Sequence, residues 1–428
     1  MKPFSLAGSA VLLSLLVLAC DKEDGTKLST GTPAARAGDG GAPRAVAVDA
    51  GASTERDVFR PEERPFSPEL AAGLRVPSGF GISTFATNVD GARMLVARGA
   101  SVYVTRPEAG DVLRLDDIDG DGAADDSVAV ASYLPLVHGI AFLGNQVYLA
   151  TPTQVLLASV SDDGNFGAPQ VIIGDLPDGG QHPLRTLGIS PDERLFISVG
   201  STCDACDDSN PENATLLAAS LDGATRSTFA TGLRNTIGFG WHPITRQLWG
   251  MDHGSDWRGS DTPPEELNSI VEGENYGWPY CYADRVVDPV IQDPPEGTKA
   301  AYCANTSAPA LLTQAHEAPI GLAFYAGTGF PSEYRDDAFI AMHGSWNRFP
   351  PTGYKVVRLV FEDGVPQRFE DFVTGFLIDE GRATFGRPAG ITVASDGSLL
   401  FGDDTSGAIY RVRYGQTPPD AGVAVSIP

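Results

Sequence analysis

The sequence predicts an all-β protein, and within that class a six-bladed β-propeller with long inserted rim loops. Three observations support this prediction. The 428 residues include 49 Gly and 32 Pro, which favours many turns and few long helices. Apolar and polar residues alternate in short runs between turn signals such as PDE and SDG, as in half-buried strands. A unit with similarly placed glycine and turn residues also recurs along the chain.

The recurring unit consists of a small or apolar residue, a glycine, alternating apolar residues, a turn and a second strand-like run. Its glycines are Gly91, Gly139, Gly188, Gly238, Gly321 and Gly390, separated by steps of 48, 49, 50, 83 and 69 residues. Six units of this length are typical of propeller blades. The two longest steps predict insertions at 251–316 and 343–385. A pair of β-sandwiches is the alternative, but it would not explain six similar units.

The first twenty residues predict an export signal. Lys2 precedes an apolar core, and Val17-Leu18-Ala19-Cys20 resembles a bacterial lipobox. We therefore expect a lipoprotein signal peptide over 1–20, with a lipidated Cys20 anchoring the protein to a membrane of the cell envelope or periplasm. Which membrane stays open, and a plain cleaved signal is the alternative. A disordered tether over 21–65, a propeller domain over 66–415 and a tail over 416–428 complete the predicted organisation.

The charge and the cysteines exclude several classes of function. The net charge is -25 and no basic cluster is present, which excludes a nucleic-acid partner. Export predicts two local disulfides for the four remaining cysteines, Cys203 with Cys206 and Cys281 with Cys303. A c-type haem would need a histidine where Asp207 stands, and a zinc site would need all four thiolates to converge.

A polar, glycine-punctuated stretch from 232 to 279 predicts a site on the rim of the scaffold. His182 precedes the first strand of one repeat and is a candidate general base. Arg234 and Asn235 precede the first strand of the next repeat, and Arg387 that of the last. Cations at equivalent positions would converge to hold a carboxylated ligand. The alternatives are a packed histidine and arginines that bond neighbouring blades.

Two segments offer oxygen ligands for a hard cation such as Ca²⁺. The first is 252–256, DHGSD. The second is a partial calcium loop that lacks the usual final Glu, since Val128 stands there; its candidate ligands are Asp117, Asp119, Asp121 and Asp125. An acidic turn without an ion is the alternative. The sequence has no P-loop, GxGxxG after a strand, GxSxG or HExxH motif, which disfavours nucleotide-dependent chemistry.

Taken together, several segments resemble one known family: HPLRTLGISPDERLFISVG, GLRN, DHG, EELN, NYGWP, APIGLAFYAGTGFP, HGSWNRFPPTGYKV and GRPAGITVASDGSLLFGDD. They are similar to the soluble glucose/sorbosone dehydrogenases that depend on pyrroloquinoline quinone (PQQ), especially the aldose sugar dehydrogenase branch. The resemblance covers roughly 75 to 415. It implies a six-bladed propeller that binds PQQ and Ca²⁺ and oxidises the anomeric hydroxyl of an aldose to the lactone, with an external electron acceptor.

The resemblance also implies roles for individual residues. His182 corresponds to the general base. The residues corresponding to cofactor-binding positions are Arg234, Asn235, Arg348, Lys355 and Arg387. Gly254 and Ser255 correspond to the residues whose carbonyls hold the catalytic Ca²⁺. The chain departs from glucose-oxidising relatives at Gln181, where they have an acid, and at Ala389, where they have an arginine.

Two other functions are consistent with a propeller of this kind. A calcium-dependent lactonase would need Glu, Asn and Asp clustered on the metal, and would leave the Arg and Lys positions without a role. A non-catalytic lipoprotein that binds glycan or protein would need none of the site residues. The sugar, the electron acceptor and the oligomeric state are not readable from the sequence.

Overall fold

The computed structural model describes residues 58–415. The predicted signal peptide, Cys20, the tether up to residue 57 and the C-terminal tail lie outside the described residues. Ordered contacts begin before the predicted boundary at residue 66. The backbone N–H groups of Glu62 and Arg64 donate to the carbonyls of Arg382 and Thr384. The polar composition of this segment gave no sign of the pairing, because main-chain hydrogen bonds need no apolar pattern.

The described chain consists almost entirely of short strands. The first elements are β1 (Glu62–Glu63), helix α1 (Pro68–Ala71), β2 (Phe80–Ala86), β3 (Leu95–Arg98), β4 (Ser101–Arg106), β5 (Asp111–Asp116) and β6 (Asp126–Ala131). They are followed by β7 (Gly139–Leu143), β8 (Gln146–Ala150), β9 (Val155–Ser159), β10 (Gln170–Ile173), β11 (Leu187–Ile189), β12 (Leu195–Val199), β13 (Thr215–Ala219) and β14 (Arg226–Thr231).

The second half continues in the same way. It contains β15 (Thr236–Trp241), β16 (Leu248–Asp252), β17 (Glu265–Ile270), β18 (Cys281–Tyr282), β19 (Val286–Val287), helix α2 (Lys299–Cys303), β20 (Leu311–Thr313), β21 (Pro319–Phe324) and β22 (Ala338–Met342). The last strands are β23 (Lys355–Glu362), β24 (Val365–Val373), β25 (Leu377–Ile378), β26 (Ala383–Thr384), β27 (Pro388–Val393), β28 (Leu399–Asp403) and β29 (Ile409–Tyr414). Short 3-10 helices cover Ser332–Tyr334 and Asp379–Gly381. The all-β prediction is confirmed.

Most strands of residues 58–415 form six four-stranded sheets with antiparallel neighbours. The others form the small sheet β1-β26-β25, in which β1 and β26 are parallel, and the hairpin β18–β19. Five of the four-stranded sheets follow chain order: β3–β6, β7–β10, β11–β14, β15–β16–β17–β20 and β21–β24. The sixth has the order β2-β29-β28-β27, so a strand from the start of the described chain completes the sheet formed by its end. This pairing fastens the two ends of the folded part together.

The glycine of the repeat marks the close approach of successive sheets. A Cβ on Gly321 of β21 would lie 2.6 Å from the carbonyl oxygen of Ala389 in β27, and one on Gly390 of β27 would collide with the carbonyl oxygen of Arg93, just before β3. Gly139 and Gly238 meet backbone carbonyls in the same way, whereas a Cβ on Gly188 would meet the side chains of Phe239 and Trp241 in β15. First strands therefore pack closely against one another, mostly backbone to backbone, and the contacts lead from the last sheet back to the first.

Apolar clusters fill the spaces between neighbouring sheets. One, built from β12, β13, β15 and β16, includes Phe196, Leu216, Phe239 and Leu248. Another packs Phe339, Phe372 and Phe401 into an aromatic centre between the last two sheets. These clusters account for the alternation in the sequence, because each strand turns one face to each neighbouring sheet. No helix within residues 58–415 is long and apolar enough to cross a membrane.

The predicted insertions are shorter in the structure than the repeat spacing indicated. The segment 251–316 supplies β17 and β20 of its own sheet, and 343–385 supplies β23 and β24. The repeat signature marks only the two inner strands, so the outer strands were counted as inserted residues. The true insertion after β17 carries the β18–β19 hairpin and α2 and contains the disulfide Cys281–Cys303. The other predicted disulfide, Cys203–Cys206, is also present.

Candidate functional site

A cavity of about 340 Å³ lies where first strands begin and second strands end. In an antiparallel pair these two points are neighbours, as the register pairs of Thr236 with Asp252 and Pro388 with Asp403 show. The polar residues that line the cavity are Arg93, Gln181, His182, Arg234, Asn235, His253, Asp256, Glu265, His316, His343, Asn347 and Arg387. The predicted residues His182, Arg234, Asn235, Gly254 and Arg387 are therefore brought together at one cavity.

Two buried aspartates hold the chain that carries the arginines. Asp252, at the end of β16, accepts the backbone N–H groups of Arg234 and Asn235 at 2.9 Å each. Asp403, at the end of β28, accepts the backbone N–H of Arg387 at 2.9 Å. In both sheets, a buried aspartate at the end of the second strand thus fixes the start of the first strand, β15 in one and β27 in the other. Burial raises the pKa of Asp252 and that of Asp403 to about 6 in each case.

His182 lies in the loop between β10 and β11. Its Nδ1 is 2.8 Å from the carbonyl oxygen of Ser201 and 2.9 Å from the Ser201 hydroxyl. With Nδ1 protonated and donating, Nε2 carries the free lone pair. Burial, followed by the charge of Arg234, lowers the pKa of His182 to about 4, so the ring is neutral at pH 7. The relatives' acid before the histidine is replaced here by the exposed Gln181, and a serine orients the ring.

Arg234 is almost fully buried and held on several sides. Its Nε donates to the carbonyl of Asp204 at 2.8 Å, and its Nη2 lies 2.9 Å from Asp204 Oδ1 and 3.4 Å from Asp256 Oδ2. Burial raises the pKa of Asp256 to about 6. The guanidinium therefore has a fixed orientation at the wall of the cavity.

Arg387 is different, because the part of the chain that the structure describes gives it no carboxylate partner. Its Nη2 donates to the carbonyl of Gly344 at 2.7 Å, its Nε donates to that of His343 at 3.2 Å, and the guanidinium lies 5.6 Å from the Tyr354 ring centroid. Backbone carbonyls hold it in place without neutralising it. Its positive charge remains available to a ligand.

A charged pair that the sequence reasoning missed lies beside Arg387. Asp404 accepts from His343 Nε2 at 2.8 Å and forms an ion pair with Arg93, and both partners line the cavity. Burial lowers the pKa of His343 to about 4. Arg93 also has a buried Nε without a hydrogen-bond partner among the described residues. Arg93 therefore has donor capacity left for a ligand.

Glu265 is the most strongly shifted acid of the cavity. Its oxygens accept the backbone N–H groups of Gly254 at 2.8 Å and Ala318 at 3.1 Å, and burial raises its pKa to about 8. Burial thus favours the protonated form of Glu265. Arg234 and Arg93 are paired with carboxylates, so the positive charge of the lining that no carboxylate of the described residues balances is that of Arg387.

Two predicted cofactor residues lie away from the cavity lining. Lys355, at the start of β23, forms ion pairs with Glu317 at 3.3 Å and Asp371 at 2.9 Å. Arg348 donates to the carbonyl of Ser260 at 2.8 Å and pairs with Asp261 at 3.2 Å. Both cations are neutralised within the chain. Ser255 lines a smaller cavity of about 20 Å³ behind Gly254.

The predicted calcium loop is the turn between β5 and β6. Three of its acids, Asp117, Asp119 and Asp125, place one carboxylate oxygen each within 4.8 Å of the others. Asp121 is not in that group, and its Oδ1 accepts the N–H of Ala123 at 2.8 Å. Only part of the predicted ligand set therefore converges.

His253 and His343, in MDHG and MHGS, also follow second strands, and both competed with His182 as candidates beside a glycine at a strand end. The residue that the sequence left out is Asp404, which comes directly after the second strand of the last repeat, in FGDDT. The antiparallel pairing of the two inner strands brings the start of the first strand and the end of the second to the same edge of the sheet.

Fold and cavity together define an all-β protein with a cavity of small-molecule size that is lined by arginines and histidines. The chain belongs to the TrAA12-like family, whose model matches residues 74–415. The resemblance predicted from the sequence to PQQ-dependent sugar dehydrogenases is thereby confirmed.

Particular relatives agree with this assignment. An uncharacterized protein of Borreliella burgdorferi is 29% identical over 371 residues, which cover 81% of this chain and 92% of that protein. The pyrroloquinoline quinone-dependent pyranose dehydrogenase of Coprinopsis cinerea is 32% identical over 193 residues, which cover 36% of this chain and only 25% of that protein.

The fold has solved counterparts. A calcium structure of the Trichoderma reesei member of Carbohydrate-Active Enzymes Family AA12 superposes with a TM-score of 0.70 and covers 80% of this chain and 97% of that chain. The two sequences are 22% identical, so this likeness concerns the fold alone.

Proposed function

We propose that this protein is a PQQ- and calcium-dependent sugar dehydrogenase that oxidises an aldose at its anomeric hydroxyl to the lactone. The observation that carries the proposal is the pairing, in one cavity, of a neutral histidine with a free Nε2 and an arginine whose charge no carboxylate of the described chain neutralises. The membership of the family and the activity of the Coprinopsis cinerea relative support it.

The residues of the cavity fit such a cofactor. PQQ carries three carboxylates, and the cavity offers the guanidinium of Arg387, the side chain of Arg93 with an unpartnered Nε, and the buried Arg234 beside Asn235. The cavity volume of about 340 Å³ falls in the range of about 300–1,000 Å³ that is usual for small-molecule sites. When bound, PQQ would supply the redox chemistry, as the group that takes up the hydride. Arg387, Arg234 and Asn235 would hold it.

His182 would act as the general base. Its Nε2 would accept the proton of the sugar hydroxyl, while Nδ1–H keeps its hydrogen bond to the Ser201 carbonyl. Arg185 supports this position, since its Nη1 donates to the His182 carbonyl at 3.0 Å. The low pKa keeps the ring unprotonated and ready at neutral pH. It also favours release of the proton to water once the sugar has reacted.

Two calcium sites form part of the proposal. Gly254 lines the main cavity and Ser255 the smaller one behind it, and their backbone carbonyl oxygens would serve as ligands of the catalytic ion. Their segment is fixed by Glu265, which accepts the Gly254 N–H. At the periphery, Asp119 and Asp125, with Asp117, would hold a structural ion.

We further propose that the six four-stranded sheets are the blades of a six-bladed propeller, which the packing of first strands from sheet to sheet supports. Export to the cell envelope and anchoring at a lipidated Cys20 remain proposals from the sequence. The electron acceptor would be external, because the chain lacks the CxxCH attachment sequence for a c-type haem.

The test is reconstitution. Purified protein would be titrated with PQQ and Ca²⁺ and supplied with a panel of aldoses and an artificial dye. We expect dye reduction that needs the sugar and both additions, and a lactone as product by mass spectrometry. Failure of PQQ to bind would contradict the proposal. The variant H182A separates the steps, since it should bind PQQ but reduce no dye.

A further inference from the structure

The short loop 201–208, closed by the Cys203–Cys206 disulfide, contacts both the proposed base and the buried arginine of the cavity. We infer that this loop, through Asp204, positions Arg234 for the ligand, and that it orients His182 at the same time. The inference rests on the proposed function and extends it to a residue that does not line the cavity. Asp204 is thus a positioning residue.

The arginine side of the loop is held by three contacts. The Asp204 carbonyl accepts from Arg234 Nε at 2.8 Å, and Asp204 Oδ1 accepts from Arg234 Nη2 at 2.9 Å, so one residue holds both donors of one edge of the guanidinium. The backbone N–H of Ser201 donates to the Arg234 carbonyl at 2.8 Å. Because two donors of a planar group are fixed, its plane is fixed as well.

Asp204 also fixes the segment opposite. Its Oδ1 accepts the backbone N–H of Asp256 at 2.6 Å, and the hydroxyl of Ser255 lies 3.4 Å from its carbonyl oxygen. The loop therefore connects the first and second strands of the β15–β16 pair at the edge where the cavity lies. A displacement of Asp204 would therefore move both Arg234, before β15, and the segment 255–256, after β16.

The histidine side depends on Ser201. This residue is fully buried, and its carbonyl and hydroxyl both face His182 Nδ1, while the hydroxyl also lies 2.7 Å from the Cys203 carbonyl. The disulfide joins Cys203 to Cys206 and so fixes the turn that presents the Cys203 carbonyl and Asp204. The ring closed by this disulfide therefore supports the positions of both His182 and Arg234.

The position of the loop relative to His182 is fixed by its own anchors. The carbonyl of Thr202 accepts the backbone N–H of Gln181 at 2.9 Å, and Asp208 accepts the backbone N–H of Thr202 at 3.2 Å. A Cβ on Gly180 would collide with the Thr202 carbonyl oxygen, so the two segments are in tight contact. The disulfide-closed loop therefore has little freedom to move relative to the segment that carries His182.

The test compares D204A with D204N in the full-length protein. Asn keeps an oxygen that can accept from Arg234 but lacks the charge, so a positioning role predicts rescue by Asn. We expect D204A to weaken PQQ binding by about tenfold or more, the size of a lost charge-assisted hydrogen bond, and D204N to stay within about threefold of the wild type. The sugar KM at saturating PQQ should stay unchanged in both. D284A, at an exposed carboxylate of the insertion, is the matched control.

Several results would overturn the inference. Wild-type affinity in D204A would do so, and so would equal loss in D204A and D204N, which would assign the effect to charge. If D204A does not fold, C203S/C206S decides: it keeps Asp204 but opens the ring, and unchanged PQQ affinity would refute the role of the loop.

A second readout needs no cofactor. In protein without PQQ, the Nδ1–H signal of His182 should be protected from exchange in the wild type and lose that protection in C203S/C206S. Unchanged protection would contradict the histidine side of the inference. Failure of the wild type to bind PQQ would instead contradict the proposed function, and the exchange measurement would still report on the loop.

Discussion

Arg387 and Lys355 were both predicted to bind the cofactor, and the structure separates them. Arg387 lines the cavity and has only carbonyl partners among the described residues, whereas Lys355 is paired with Glu317 and Asp371. We expect R387M to remove one charge-assisted contact to a ligand carboxylate, worth about 1.5–3 kcal/mol. This corresponds to an increase in the PQQ dissociation constant of about 10- to 150-fold. Methionine keeps a side chain of similar length without the charge.

K355M is the matched variant. It should leave PQQ affinity within about twofold, because Lys355 does not line the cavity, but it should lower the free energy of unfolding by about 1–3 kcal/mol. The cost arises at Glu317, which is buried and would lose its cation while keeping its bonds to Thr313 and Thr352. Isothermal titration with PQQ at fixed Ca²⁺ measures the affinity, and urea unfolding measures the stability. An equal loss of affinity in K355M and R387M would refute the reasoning.

Three further predictions concern the base, the peripheral loop and the sheet packing. Burial and the charge of Arg234 lower the pKa of His182 to about 4, so the base is neutral above that pH. In a stopped-flow pH profile, kcat/KM should therefore fall as the pH drops through about 4. A fall of kcat/KM near pH 6.5 would contradict the assignment of His182 as the base. D119N/D125N should reduce the rise in melting temperature that Ca²⁺ gives, without changing PQQ affinity, and an unchanged rise would show that the peripheral loop holds no stabilising ion. G238A should destabilise the protein by about 1–3 kcal/mol in urea, since its Cβ would meet the Ile320 carbonyl at 2.8 Å, while G240A on the same strand meets nothing closer than 3.4 Å and should be nearly neutral.

The sequence predicted the scaffold because its repeat has a packing cause. Each repeat glycine from Gly139 onward lies where the next first strand approaches within van der Waals contact, so a side chain is excluded there and the signal recurs. The outer strands carry no such constraint. β20 and β24 are partly exposed and differ in length, which is why the segments that contain them were taken for inserted loops.

The candidate site was predictable only in part. Arg234, Asn235 and Arg387 were found because the start of a first strand is marked by the glycine that follows it. Asp404 follows a second strand, where the residue differs between repeats, so its place in the cavity was not predicted. The spacing of the sequence also gave no indication of ion pairing, since Glu317 lies far from Lys355 along the chain and meets it only through the fold.

Charge neutralisation therefore separates structural cations from ligand-binding ones in this protein. Arg348 and Lys355 are half-buried and satisfied by carboxylates of the chain, so the folded state gains from them directly. Arg387 loses hydration and recovers only carbonyl contacts from the described residues, which leaves a net cost in the unliganded fold. A ligand carboxylate removes that cost when it pairs with Arg387, so the removal of this unfavourable term contributes to the binding free energy. The same reasoning predicts that R387M is at least as stable as the wild type without PQQ, and that only the wild type gains a large increase in melting temperature when PQQ is added.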